Sequence, residues 1–263
     1  MANQVAKVYT VAKSQEGYKE GYSNGHWDNR EKYAAQVPGM AWVSAGGYPW
    51  CALFVAWVAL KAGVADLFPR TASCAFGVDW FKKRGRFSAY PALGSQVFFG
   101  AGTGGTHTGI VLSYTKTTIT YISGNTNANG SPEGNAVLTK TISRKSPYVY
   151  GYGLPAYAEG ITTADPALKG KAGYHFATQA SAPKPVKPSG STKVITVKAG
   201  QTLGSIAAAA GITLAALLGL NPTYKAHPDT VHVGDHITVP AKPAPAKTPT
   251  AKPTKKLNPP TCK

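Results

Sequence analysis

Residues 50–62 constrain the fold more than any other segment of this 263-residue chain. Pro49 suits a first helical turn and Gly63 a C-terminal cap, so the stretch predicts a helix. Apolar side chains occupy every face of it, broken only by Lys61, so the helix has to be buried on all sides. It is too short to span a bilayer and therefore needs layers of protein around it. A chain of this length can provide one sizeable core and a small second module.

The covering layers are readable downstream. Residues 96–99, 108–114, 119–123 and 148–154 are rich in β-branched and aromatic side chains and predict strands. A surface helix is expected over residues 27–33 and a second helix over residues 78–84. Helices first and an antiparallel sheet afterwards give an α+β domain, placed at residues 11–160. Residues 161–192 are rich in Pro, Lys and Ser and predict a linker. Order returns over residues 193–240 as a strand–helix–helix–strand unit. Its first helix is closed by Gly211, and Thr213 is a plausible N-cap for the second. The Pro/Lys/Thr tail, residues 241–263, is not expected to fold.

Chemistry enters with Cys51, at the start of the apolar helix. A helix N-terminus carries partial positive charge and unpaired N–H groups, which lower a thiol pKa and favour the thiolate. His107 follows 56 residues later, at the entry to a strand. Cysteine first and histidine later on a strand is the order thiol amidases and peptidases use. If the strands after His107 form a hairpin about Lys116, opposite positions sum to 232 and His107 faces Asn125. An asparagine there can hold the imidazole tautomer. That register requires an odd-length loop; a two-residue loop would put the pair on opposite faces. The resulting chemistry is acyl transfer: Cys51 attacks an amide carbonyl, its own backbone N–H steadies the oxyanion, and His107 protonates the leaving amine.

Other candidates read more plainly. Cys74 is expected to pack in the core and Cys262 to be incidental on the tail. Most of Trp27, Trp42, Trp50 and Trp80 are expected in the core, with Trp50 the one to touch substrate. Three scattered cysteines and no HExxH pattern give no zinc site, so no metal or cofactor is expected.

Trp50-Cys51-Ala52 leading into Phe54-Val55, Phe98-Phe99 with a Gly-rich loop before His107, and Gly124-Asn125 together resemble the CHAP domain. That resemblance implies a papain-like fold that cuts peptidoglycan, with Cys51, His107 and Asn125 as catalytic residues. Many relatives carry Glu-Gly-Asn where this chain has Ser123-Gly124-Asn125, and an Asp where Ser95 stands. Asn125 is then the matched orienter, and Ser95 a turn substitution. Val197 to Leu203, Leu220-Asn221-Pro222 and Val233-Gly234-Asp235 resemble the LysM module. This implies binding of N-acetylglucosamine-containing glycan through Gly200, Gln201, Thr202 and Leu203, with a further contribution from residues 223–229. Gln201 stands where that module commonly has Asp.

The order CHAP then LysM is similar to bacteriophage endolysins, and the Ala/Gly-rich wording points to an actinobacterial host. The N-terminus has no continuous apolar run, so the chain is expected to be made in the host bacterial cytoplasm without a signal peptide. It then acts on the cell wall after release. Net charge is +17, of which +11 falls in residues 166–263, so anionic wall polymers are expected partners beside peptidoglycan itself. Nucleic acid is not, since no recognition motif accompanies the charge. No transmembrane segment is expected, and a monomer is the default. The alternative function is a catalytically silent wall-binding protein.

Overall fold

The computed structural model describes residues 3–128, 134–181, 192–210, 212, 214–224 and 231–240. The chain divides into two compact units, Met1–Pro185 and Val186–Lys263.

The first unit opens with α1 (Gln4–Lys13) and a small hairpin of β1 (Tyr22–Ser23) and β2 (His26–Trp27). A single turn α2 (Trp42–Ala45) follows, then α3 (Cys51–Lys61) and α4 (Cys74–Lys82). The strands are β3 (Phe87–Ser88), β4 (Gln96–Phe99), β5 (His107–Tyr114), β6 (Thr118–Thr126), β7 (Ala136–Ser143) and β8 (Val149–Gly153). They form one antiparallel sheet in the order β3-β8-β4-β5-β6-β7. Helix α3 lies across β5 and β6. All its residues from Cys51 to Ala59 are buried, as its uniform apolarity requires. Burial of Leu53, Phe54, Val55 and Val58 contributes about 1.5–3 kcal/mol each. Close approach to the sheet depends on Gly124, where a Cβ would sit 2.3 Å from the Trp50 ring and 2.8 Å from Phe54 Cβ.

Three expectations are corrected here. No helix forms over residues 27–33: Trp27 lies in β2, and side chains compete for the backbone that follows. Asp28 accepts from Arg30 N at 3.1 Å, and the Glu31 carboxylate accepts from the N–H groups of Tyr33 and Ala34, starting a 3-10 turn, Ala34–Gln36. The ordered unit begins before residue 11, because α1 has Asn3 as its cap and buries Val5, Val8 and Ala12. It also runs past residue 160. The first two-thirds of the expected linker carry β9 (Ile161–Thr163), β10 (Tyr174–Phe176) and β11 (Ala180–Ser181). Strands β9 and β10 pair in parallel, and β11 adds to the end of β5. The reason is composition: Ile161, Leu168, Tyr174 and Phe176 supply apolar surface, whereas the Pro/Lys run starts later. Residues 182–191 and the tail at 241–263, with Cys262, lie outside the described residues.

The second unit comprises β12 (Thr192–Thr196), α5 (Leu203–Ala209), α6 (Leu214–Leu220) and β13 (His236–Pro240). Strands β12 and β13 pair antiparallel, giving the expected βααβ order. Val197, Leu203, Ile206, Ala207, Leu217, Ile237 and Val239 form its core. Asn221 ties the end of α6 to β13, donating to Leu217 O and Thr238 O and accepting from Thr238 N at 2.8 Å. Gly211, Thr213 and residues 225–229 lie outside the described residues. Among the described residues no helix is long and apolar enough to cross a membrane.

Candidate active site

Cys51 is the first residue of α3, and the capping position before it is held by Trp50, whose side chain makes no capping hydrogen bond. Among the described residues, no side chain accepts from the N–H groups of Cys51, Ala52 or Leu53 in that first turn, the kind of donors that suit an anion. Trp50 instead turns inward: it is fully buried and donates its indole N–H to Glu20 Oε2 at 2.6 Å. The expectation that Trp50 touches substrate is thus overturned. Trp42 and Tyr48, each 52% exposed, line an open groove of about 580 Å³ beside Cys51.

His107 begins β5 directly opposite Phe99 at the end of β4. The intervening loop is tight: Gly100 adopts φ +122°, and Thr106 N returns to Phe99 O at 3.0 Å. The imidazole stacks on the Phe99 ring, centroids 5.8 Å apart, and Phe99 stacks in turn on Tyr148. These contacts fix the plane of the histidine beside the Cys51 thiol.

Asn125 reaches this end of the sheet by an unexpected route. The loop joining β5 to β6 is not odd: Thr115 N bonds Thr118 O at 2.9 Å around a two-residue turn, and Tyr114 pairs with Ile119. A bulge at Leu112 then shifts the register, so Val111 faces Tyr121 and Ile110 faces Ile122. The β5–β6 pairs end there, and the bulge restores over those two pairs the offset that an odd loop was expected to give. A second irregularity, between Ser123 and Thr126 on the β7 side, coincides with φ +50° at Asn125, a left-handed conformation asparagine tolerates better than most residues. His107 Nε2 and Asn125 Oδ1 are both buried, and neither has a hydrogen-bond partner among the described residues. Ser123 is fully buried with its Oγ also unpartnered, whereas Ser95 Oγ donates to Ala92 O at 2.7 Å and closes a turn.

A residue that sequence reasoning assigned to the core belongs to the site as well. Cys74 starts α4, lines the same groove, and its Sγ lies 3.6 Å from Cys51 Sγ. A hydrogen bond from Cys74, the adjacent His107 and the Thr108 backbone N–H hold the Cys51 thiol well below the ordinary thiol range; burial opposes them and loses. Cys74 is pushed the other way, as the donor to Cys51, by burial and by the Cys51 charge. No local pattern marks this pairing, because 23 residues separate the two cysteines. Among the described residues no group of three or more His, Cys, Asp or Glu is disposed to hold a metal ion.

In the second unit the four candidate glycan contacts lie on one loop and helix start, with differing roles. Gly200 is exposed at φ +79°, and Gln201 Oε1 accepts from Lys198 N at 2.9 Å. Thr202 caps α5 in a reciprocal box with Ser205, and Leu203 is buried in the core.

Residues 43–125 match the family model of the CHAP domain, a segment containing Cys51, Cys74 and His107 and ending at Asn125. Residues 195–240 match the model of the LysM domain. No curated protein and no solved structure matches the chain. A CHAP domain indicates a peptidoglycan hydrolase or peptidase, and a LysM domain indicates binding to the wall.

Proposed function

We propose that this protein is an endolysin-like peptidoglycan hydrolase that cleaves an amide bond with Cys51 as nucleophile and is held on the wall by its LysM domain. The observation that carries the reading is the Cys51 thiol itself. It sits at an uncapped helix start, beside His107, and is held toward the thiolate.

The steps follow from that arrangement. The thiolate attacks the amide carbonyl, and the Cys51 backbone N–H stabilises the developing oxyanion. His107 delivers a proton to the departing amine, and water then hydrolyses the thioester. Asn125 acts by orienting the imidazole, a role supported by the offset of the last β5–β6 pairs, Val111 with Tyr121 and Ile110 with Ile122, which is the one that pairing His107 with Asn125 needs. The amide cut is that of an N-acetylmuramoyl-L-alanine amidase or of a cross-bridge endopeptidase. Gly200 and Gln201, with the α5 start at Thr202, form the glycan-contacting edge, and the buried Leu203 seats that helix start in the core. The excess of positive charge, +17 over the chain, adds attraction to anionic wall polymers that salt weakens. A bacteriophage origin, an actinobacterial host and action on the wall after release complete the reading.

The test is clearing of purified actinobacterial walls by the wild type and Cys51→Ala, with wall pull-down of both. Clearing is expected to fall at least about a thousandfold in the variant while pull-down persists. Mass spectrometry of the released ends then names the bond. Equal clearing by both proteins sinks the thiol mechanism; binding by both without clearing by either leaves a silent wall-binding protein.

A further inference from the structure

We propose that Cys51 and Cys74 form a redox pair, in which hydrogen peroxide converts the nucleophile to a disulfide with Cys74 and a dithiol reductant restores it. The inference rests on the reading of Cys51 as nucleophile for its consequence, inactivation, but not for the bond itself.

Both cysteines are free thiols in the structure, with sulfurs 3.6 Å apart. A disulfide needs about 2.05 Å between sulfurs, so closure requires a movement on the order of 1.5 Å. Rotation about two side-chain bonds and a small settling of two helix starts supplies that. Both thiols line the groove next to Cys51, so a molecule as small as peroxide has a path. Cys51 has the properties of the attacking partner and Cys74 those of the resolving one. The protonated Cys74 thiol is held so partly by the Cys51 charge, and that charge vanishes once Cys51 is oxidised.

The steps balance. The Cys51 thiolate attacks one peroxide oxygen, the O–O bond breaks, and hydroxide leaves; Cys51 is now a neutral sulfenic acid. The Cys74 sulfur then attacks the Cys51 sulfur, the S–O bond breaks, and the departing hydroxide takes the Cys74 proton as water. Peroxide has been reduced by two electrons and the thiol pair oxidised by two. A dithiol such as dithiothreitol reduces the disulfide by two exchange steps, closing to its own cyclic disulfide and leaving Cys51 and Cys74 as thiols. Without Cys74 the sulfenic acid has no neighbouring thiol and goes on to the sulfinic acid, which such reductants do not restore.

The full chain, carrying Cys262→Ser so that only this pair remains, is treated with hydrogen peroxide, quenched and digested without reductant. The expected product is a Cys51–Cys74 cross-linked peptide, lighter by two hydrogen atoms than the separate peptides. Wall clearing falls about tenfold or more and returns with dithiothreitol. Cys74→Ser, compared with its own untreated activity, loses clearing that dithiothreitol does not return, and its Cys51 carries the sulfinic acid. Recovery as full in Cys74→Ser as in the parent overturns the proposal. So does Cys51 sulfinic acid in the parent without the cross-link. A cross-link in a protein that never clears walls leaves the redox pair standing and removes the nucleophile reading instead.

Discussion

Helices α3 and α4 both begin on a cysteine, and the two starts are built differently. At α3 the residue before Cys51 is Trp50, which offers no capping group, so the first-turn N–H groups stay open. At α4 it is Ser73, whose hydroxyl accepts from Phe76 N at 3.2 Å and closes one of them. The open start favours a thiolate and leaves donors for a substrate oxygen. The closed start keeps its cysteine protonated: a helix dipole contributes only about 0.3–1 kcal/mol at a terminus, less than burial together with the neighbouring Cys51 charge. Where the two sulfurs meet, the difference becomes a donor and an acceptor. A cysteine at a helix start is not by itself a nucleophile; its hydrogen-bond partner, its burial and the neighbouring charge decide which of the two becomes one.

Among changes that leave both cysteines in place, the largest expected effect comes from unseating the open start. Gly124→Ala places a methyl 2.3 Å from the buried Trp50 ring, which has nowhere to move because its indole is bonded to Glu20. Overpacking of this kind costs about 1–3 kcal/mol, and we expect a lower melting temperature with a tenfold or greater fall in clearing. The matching change under the closed start is Gly77→Ala, whose methyl would meet the Phe98 ring at 2.9 Å. It regains about 1 kcal/mol of helix propensity, so its net effect on stability is smaller, and Cys51 alkylation should slow less than in Gly124→Ala. Equal damage by both substitutions would mean that the seating of Trp50 has no special hold on the nucleophile.

The next effect removes the donor between the two starts. Cys74→Ala takes away the hydrogen bond that most lowers the Cys51 pKa, so that pKa rises. The sign is then fixed: below the new pKa less thiolate is present, so the pH midpoint of inactivation by iodoacetamide moves up. On the acid side of that midpoint the rate falls by about tenfold, the scale of a hydrogen bond to a charged group. At pH well above both values the two proteins react alike. Cys74→Ser, which retains an O–H donor, should fall between them. A pH profile unchanged in Cys74→Ala would show that His107 and the Thr108 N–H suffice.

Much of this site is readable from residues alone. Helix α3 declares itself through unbroken apolarity, and β4 appears at its observed bounds because Gln96–Phe99 is a buried run of large side chains. Helix α1 also had a signal, Asn3 as cap and Val5, Val8 and Ala12 on one face, although its short polar-flanked window was passed over. Strand β7 is harder to read because Ala136–Ser143 is buried only at its first two residues and carries Thr139, Lys140 and Thr141 through its middle. What sequence could not reveal is tertiary. The even turn at Lys116-Thr117 departs from the odd loop that pairing His107 with Asn125 requires, and only the bulge at Leu112 restores the expected offset at Val111 and Ile110. The Cys51–Cys74 contact depends in the same way on where α4 lands. Its landing is set by Gly77 against Phe98, a feature with no local mark.

The smallest effect tests the cap itself. Ser73→Ala removes the hydroxyl that accepts from Phe76 N, and such losses cost about 1 kcal/mol. The first turn of α4 is then as open as that of α3, with Cys74 still its first residue. If capping alone separated the two cysteines, Cys74 would now gain reactivity toward iodoacetamide. We expect it does not, because the Cys51 charge and burial still oppose a second thiolate at 3.6 Å. Mapping the alkylated peptide distinguishes the outcomes: label confined to Cys51 assigns the asymmetry to the neighbouring charge, and label shared with Cys74 assigns it to the cap. In the first case the hydroxyl of Ser73 is a matter of stability alone, visible as a lower melting temperature with clearing unchanged.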